Sequence, residues 1–257
     1  MIILITGASS GIGRKLVLHY LKQEHTVVAI ARREHKLKDL RQAVSNPDKL
    51  KLFPADVTDK AQMQAAIATI EETVGPLDLV IANAGVTTQH LTPQLDLVAF
   101  EQLMNTNVMG SLYTLVPATQ AMMPRGHGQV VAISSLAAFH AFPRISTYCA
   151  TKAALNAQIS GLYWSLKPYG IQVTTICPGF VETEMTLGQQ VPKVWCLKAD
   201  KAVEKIVRAI AQKRRLYRFP FWQSQLVGLL NLLPPALNGY LYRTAIEKAF
   251  PRPVFSK

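Results

Sequence analysis

The chain has 257 residues, 49% of them hydrophobic, and its 28 Lys and Arg against 16 Asp and Glu give a formal net charge of +12. Such a length is ample for one α/β domain with a large core and short for two, and a mean hydropathy of +0.14 is that of a soluble globular protein. Three cysteines, Cys149, Cys177 and Cys196, are odd in number and unrelated in spacing, which argues against a disulfide framework or a metal site and for reduced thiols in a reducing, cytoplasmic compartment.

In chain order, the first apolar run is Ile2–Thr6. It passes directly into a glycine turn, with no basic n-region and no small-residue cleavage site, and reads as a buried strand rather than a secretory leader. Further strands are predicted at Thr26–Ala31, Leu50–Pro54, Leu79–Ala82, Gln129–Ile133, Gln172–Cys177 and Leu216–Phe219. Between them, helices are predicted near Gly11–Gln23, His35–Val44, Lys60–Val74, Leu97–Met123, Ser146–Lys167 and Asp200–Lys213. Gly75-Pro76, Pro124, Gly126, Pro168 and Gly170 fall where these helices should stop. The alternation predicts a doubly wound parallel sheet of about seven strands with helices on both faces. No repeat or linker argues for a second domain.

Thr6-Gly7-Ala8-Ser9-Ser10-Gly11-Ile12-Gly13 follows the first strand and opens the first helix, the context that a dinucleotide fingerprint requires. Glycines permit the tight turn and the close approach of backbone to a pyrophosphate, and the free amides of the helix N-terminus face the phosphates. The end of the second strand selects the cofactor, because an acidic side chain there suits a ribose 2′-hydroxyl and arginine suits a 2′-phosphate. Here it reads Ile30-Ala31-Arg32-Arg33, which favours NADP(H) over NAD(H), although the following Glu34 leaves NAD open.

Tyr148 and Lys152 lie four residues apart in Tyr148-Cys149-Ala150-Thr151-Lys152. On a helix that spacing puts both side chains on one face, about 5–6 Å between Cβ atoms, where the ammonium can stabilise a phenolate and let the tyrosine exchange a proton near neutral pH. Ser135 stands thirteen residues before the tyrosine.

Taken in order, Thr6–Gly13, Ala82-Asn83-Ala84-Gly85, Asn107, Ser135, Tyr148 with Lys152, and Pro178-Gly179 resemble the short-chain dehydrogenase/reductase family in its compact, single-domain Rossmann-fold form. The resemblance runs from residue 2 to about residue 215. It implies a dinucleotide-binding and catalytic domain over residues 1–215, with residues 216–257 adding a C-terminal strand and an apolar, basic helical extension. By the same resemblance Tyr148 is the general acid or base, Lys152 lowers its pKa and holds the nicotinamide ribose, Ser135 orients the substrate carbonyl, and Asn107 supports a proton-relay water. Gly7, Ser9, Ser10, Gly11, Ile12 and Gly13 would cradle the pyrophosphate, with Arg32 and Arg33 at the 2′-phosphate. Asp56-Val57 would meet the adenine and Asn83, Ala84 and Gly85 the adenosine ribose. Pro178, Gly179, Val181 and Thr183 would hold the nicotinamide carboxamide. For Asp56 a helix-capping role stays open, with Thr58 competing for it.

The implied activity is the interconversion of a carbonyl and an alcohol. Met185, Leu187, Val191, Val194 and Trp195 occupy the family's substrate lid, and point to a lipophilic ketone, aldehyde or alcohol. A cofactor-binding scaffold or sensor without turnover is the alternative, against which Asn107, Ser135, Tyr148 and Lys152 argue, since binding alone needs no proton-transfer group.

Twelve of the 28 basic residues but only three acidic ones lie from Lys198 onward. Beyond the basic run 213–218, Trp222, Leu226, Leu229, Leu230 and Leu233 share one helical face, in a segment too short and too proline-broken to span a bilayer. Peripheral contact with an anionic membrane, packing on the chain's own domain, and a homo-oligomer interface are the three readings of this tail. A nucleic-acid partner is not expected, because no binding motif accompanies the charge.

Overall fold

A computed structural model of the chain describes residues 1–87, 96–143, 145–186, 193–242 and 244. The seven predicted strands form one sheet: β1 Ile2–Thr6, β2 Thr26–Ala31, β3 Leu50–Pro54, β4 Leu79–Ala82, β5 Gly128–Ile133, β6 Ile171–Pro178 and β7 Leu216–Phe219. Their order is β3-β2-β1-β4-β5-β6-β7, and every pairing is parallel.

Helices cover both faces because each central strand is apolar on both. In β1, Ile3 and Ile5 turn to one face and Leu4 to the other. The first face packs under α1 (Gly11–Lys22), α2 (Glu34–Gln42) and α7 (Ala199–Ala211), through side chains such as Leu16, Leu37 and Ile206. The second packs under α3 (Lys60–Thr73), α5 (Gly110–Met122) and α6 (Ser146–Leu166), through Ile67, Leu115 and Leu155. The chain winds outward from β1 to β3 and then returns to β4 on the other side of β1. This reversal opens a crevice beyond the carboxyl ends of β1 and β4, where an open α/β sheet takes its ligands.

The predicted helix Leu97–Met123 is interrupted. It runs as α4 (Leu97–Met104), a π-helical turn at Asn105–Met109, and α5. Such a wide turn usually marks a functional site, and here it carries Asn107. The cap of α3 also differs from both alternatives considered. Asp59 accepts from the Gln62 amide at 2.9 Å, whereas Asp56 accepts from the amide and hydroxyl of Thr58.

After β7 the chain forms α8 (Phe221–Leu232) and α9 (Pro235–Leu241). Gln223, Ser224, Val227 and Leu230 are the buried side of α8. The face predicted to be apolar is therefore split: Leu230 packs inward, while Trp222 and Leu229 are about half exposed, at 47% and 55%. Phe221 and Leu232 are exposed beside them. No helix among the described residues is long and apolar enough to cross a membrane. All three cysteines are free.

Candidate active site

The glycine turn follows β1 because the chain must reverse there between strand and helix. Gly7 has a φ of +65°, open only to residues without a Cβ clash. A Cβ on Gly13 would lie 2.3 Å from the Gly7 carbonyl oxygen and 2.5 Å from Asn83 Nδ2, so helix and turn are packed to contact. Asn83 holds this turn from β4: its Nδ2 donates to the Thr6 carbonyl at 3.0 Å, and the amides of Asn83 and Ala84 donate to Thr6 Oγ1. Its side-chain amide is engaged on the turn itself.

The two arginines after β2 diverge. Arg32 pairs with Asp56 at 3.5 Å. Arg33 turns over the glycine turn, where its Nη2 donates to Ser9 Oγ at 3.1 Å and Ser10 Oγ at 2.8 Å. Its Nη1 and Lys36 Nζ both reach Glu184, at 3.2 and 2.8 Å. Two cations and two hydroxyls thus gather at the end of β2, a donor set that matches a phosphate monoester. Val57 is buried, and a Cβ on Gly110 of α5 would lie 2.8 Å from its Cγ2.

Across the crevice, α6 presents Tyr148 in its first turn and Lys152 one turn later, with the ammonium nitrogen 5.7 Å from the centre of the phenol ring. Ser135 follows β5; its hydroxyl accepts from the Ala137 amide at 3.1 Å. It also donates to the Pro178 carbonyl at 3.4 Å. Lys152 is 4% exposed and donates to the Ile133 carbonyl at 3.0 Å.

Burial acts on the two groups in opposite directions. It pushes the half-buried Tyr148 up to about 12, with the neighbouring Ser135 hydroxyl pulling back, and pushes Lys152 down to about 8. The expected acidification of the phenol is thus absent from the protein alone. The low-dielectric floor of the crevice disfavours phenolate and ammonium alike, and the amine is turned to Ile133 rather than to the phenol. At neutral pH the tyrosine is a neutral acid beside a protonated lysine.

Asn107 is fully buried. Its Oδ1 accepts from the Val86 amide at 2.8 Å, and its Nδ2 donates to the Val86 carbonyl at 2.9 Å and Thr151 Oγ1 at 3.0 Å. It therefore ties the segment after β4 to α6. A Cβ on Gly85 would come 3.3 Å from Asn107 Oδ1 and 3.6 Å from Lys152 Nζ, so Gly85 leaves the space between them.

The segment after β6 closes the ring. A Cβ on Gly11 would lie 3.3 Å from Thr183 Cβ, which sets the two phosphate-side loops in contact. Val181 is buried, and its carbonyl accepts from Thr186 Oγ1. Of the lid residues, Met185 is 41% and Val194 85% exposed. Trp195 stacks edge-on against Trp222 at 5.0 Å, which is packing on α8. Leu187 and Val191 lie outside the described residues.

Several participants were not singled out from the sequence. Gln223 of α8 inserts behind Gly179, accepting from the Phe180 amide at 3.3 Å and donating to the Trp195 carbonyl at 2.7 Å. A Cβ on Gly179 would sit 1.8 Å from Gln223 Oε1, so any side chain there would displace Gln223 from these hydrogen bonds. His140 bonds Asn231 of α8 at 2.6 Å and the Tyr242 hydroxyl. The one available signal was polarity: Gln223 and Asn231 are among the few polar residues of a largely apolar helix. Lys36, one helical turn beyond Arg33, was legible from spacing; Glu184, some 150 residues away, was not.

Residues 1–192 match the family model described as short chain dehydrogenase. An uncharacterized oxidoreductase from Myxococcus xanthus (strain DK1622) is 32% identical over 235 residues, 91% of this chain and 93% of that protein. A short-chain dehydrogenase from Streptomyces avermitilis has a similar structure, with a TM-score of 0.80 at 26% identity, covering 96% of this chain and 98% of that one. One from Burkholderia cenocepacia J2315, solved in complex with NADP, has a TM-score of 0.80 at 22% identity, over 93% and 96% of the two chains.

Proposed function

The chain belongs to the short-chain dehydrogenase family of oxidoreductases, and from that premise we propose that it reduces a lipophilic ketone or aldehyde with NADPH, or oxidises the matching alcohol. The observation that carries this reading is a buried Lys152 whose Nζ lies 5.7 Å from the centre of the Tyr148 ring, with Ser135 just after the neighbouring strand β5. A bound nicotinamide supplies the hydride. Tyr148 Oη delivers the proton to the carbonyl oxygen, for which a neutral phenol is the right form. Ser135 Oγ orients that oxygen by donating to it, and Lys152 holds positive charge behind the phenol as its proton leaves. Asn107 positions the wall beside Lys152. The glycine turn, Asp56, Val57 and residues 178–183 bind the dinucleotide, and Arg33, Ser9 and Ser10 at the end of β2 support preference for the 2′-phosphorylated form.

NADPH oxidation followed at 340 nm against a panel of carbonyl compounds tests the reading. Turnover is expected with NADPH, and long-chain or aromatic carbonyls should outperform small polar polyols. Absence of turnover with every carbonyl, together with tight dinucleotide binding, would favour the cofactor-binding scaffold instead. The exposed Phe221, Trp222, Leu229 and Leu232 support peripheral contact of α8 with an anionic bilayer, which co-sedimentation with anionic vesicles checks.

A further inference from the structure

We propose that Glu184 is an internal stand-in for the 2′-phosphate of the cofactor, a carboxylate that holds Arg33 and Lys36 until a 2′-phosphorylated adenosine displaces it. The inference rests on the NADP(H) reading of the β2 end and deepens it. Glu184 comes from the segment just after Thr183, yet both its oxygens are engaged across the crevice mouth, Oε2 by Arg33 Nη1 and Oε1 by Lys36 Nζ. The same guanidinium holds Ser9 and Ser10 through its other nitrogen. Because the serine oxygens accept from Arg33, their own protons remain to be donated to an anion.

Carboxylate and phosphate present the same kind of acceptor oxygens to a guanidinium fork and an ammonium, so the two compete for one donor set. The competition is one that a phosphate can win. Glu184 and Arg33 keep 51% and 43% of their side-chain surface exposed, and exposed ion pairs are weak, whereas a phosphate dianion brings more charge and a third oxygen to the serines. Lys36 holds the Glu184 carboxyl below the usual carboxylate range, so the competitor stays ionised wherever the enzyme is folded at neutral pH. An adenosine without the 2′-phosphate has nothing to exchange for Glu184, and meets this carboxylate in place. Glu184 thereby becomes a specificity-determining residue contributed by the substrate side of the crevice to the cofactor side.

Calorimetric titration of the full chain with adenosine 2′,5′-bisphosphate and with 5′-AMP isolates the 2′-phosphate. The wild type should prefer the bisphosphate, and Glu184→Gln should tighten it about fivefold while leaving 5′-AMP within about twofold. A wild type without preference would overturn the NADP(H) reading, and the stand-in with it. Preference in the wild type with less than about a twofold change in Glu184→Gln would overturn the stand-in alone. Equal tightening of both ligands would overturn it too, by making Glu184 a general source of negative field.

Discussion

Removal of the Asn107 side chain is the most direct perturbation of the crevice. Asn107→Ala deletes a fully buried amide that makes three hydrogen bonds, to the amide and carbonyl of Val86 and to the Thr151 hydroxyl. At roughly 1 kcal/mol net for each bond the loss is about 3 kcal/mol, trimmed towards about 2 because Val86 is only half-buried and water can reach its freed groups. Thr151 keeps its own donation to the Tyr148 carbonyl at 2.8 Å, so α6 retains its first turn. Urea unfolding at neutral pH reads the difference, with an unchanged m-value showing that the native state has kept its extent. Turnover should fall as well, since the segment carrying Gly85 loses its tie beside Lys152. A destabilisation below about 0.5 kcal/mol would refute the reasoning, because it would mean that Val86 and Thr151 find equivalent partners without the amide.

Tyr148→Phe removes the transferable proton and should abolish turnover while leaving dinucleotide affinity intact; residual activity within about tenfold of wild type, about 1.4 kcal/mol of barrier, would count against the mechanism. Lys152→Met tests the lowered lysine pKa through stability. Between about 8 and the ordinary 10.5 the unfolded chain holds a proton that the folded one has released, so this group's contribution to stability rises with pH across that window. Wild type should therefore gain on Lys152→Met by about 2 kcal/mol from about pH 7.5 to about pH 9.5 in urea melts, and a pH-independent difference would contradict the assignment. Gly13→Ala would bring a methyl to 2.3 Å from the Gly7 carbonyl, forcing α1 away from the turn. Dinucleotide binding should drop by at least about tenfold, measured by fluorescence quenching, with unchanged affinity as the contrary result.

How much of this was legible in the sequence depends on distance along the chain. The strand spans could be read because two-sided apolar runs are a local property: Val27, Val28, Ala29 and Ile30 must all be buried wherever their strand lies. The glycine turn, Tyr148 and Lys152 were readable for the same reason, each being a motif whose geometry is set within one turn of backbone. The interruption at Asn105–Met109 left no periodic trace, since one wide turn shifts the helical phase too little to separate it from ordinary scatter in apolar spacing. The tail was half legible. Its helix and apolar content could be read, but not which side would meet the domain, because the burial of Gln223 depends on a space behind Gly179 that exists only once β6 and β7 are paired.

By itself, the order of residues determined the parallel α/β architecture, the phosphate turn and the tyrosine–lysine pair, for these follow from burial periodicity and short-range backbone geometry. Only the tertiary structure decided what each polar group faces. It set Asn83 on the turn rather than on open crevice, turned Lys152 to Ile133 in a desolvated floor, parted Arg32 from Arg33, and drew Glu184 onto the cations of a distant helix. The reason is physical: a hydrogen bond or ion pair reaches only a few ångströms, so its partner is whatever the packed sheet and helices bring there, and that is not written in the spacing of neighbouring residues.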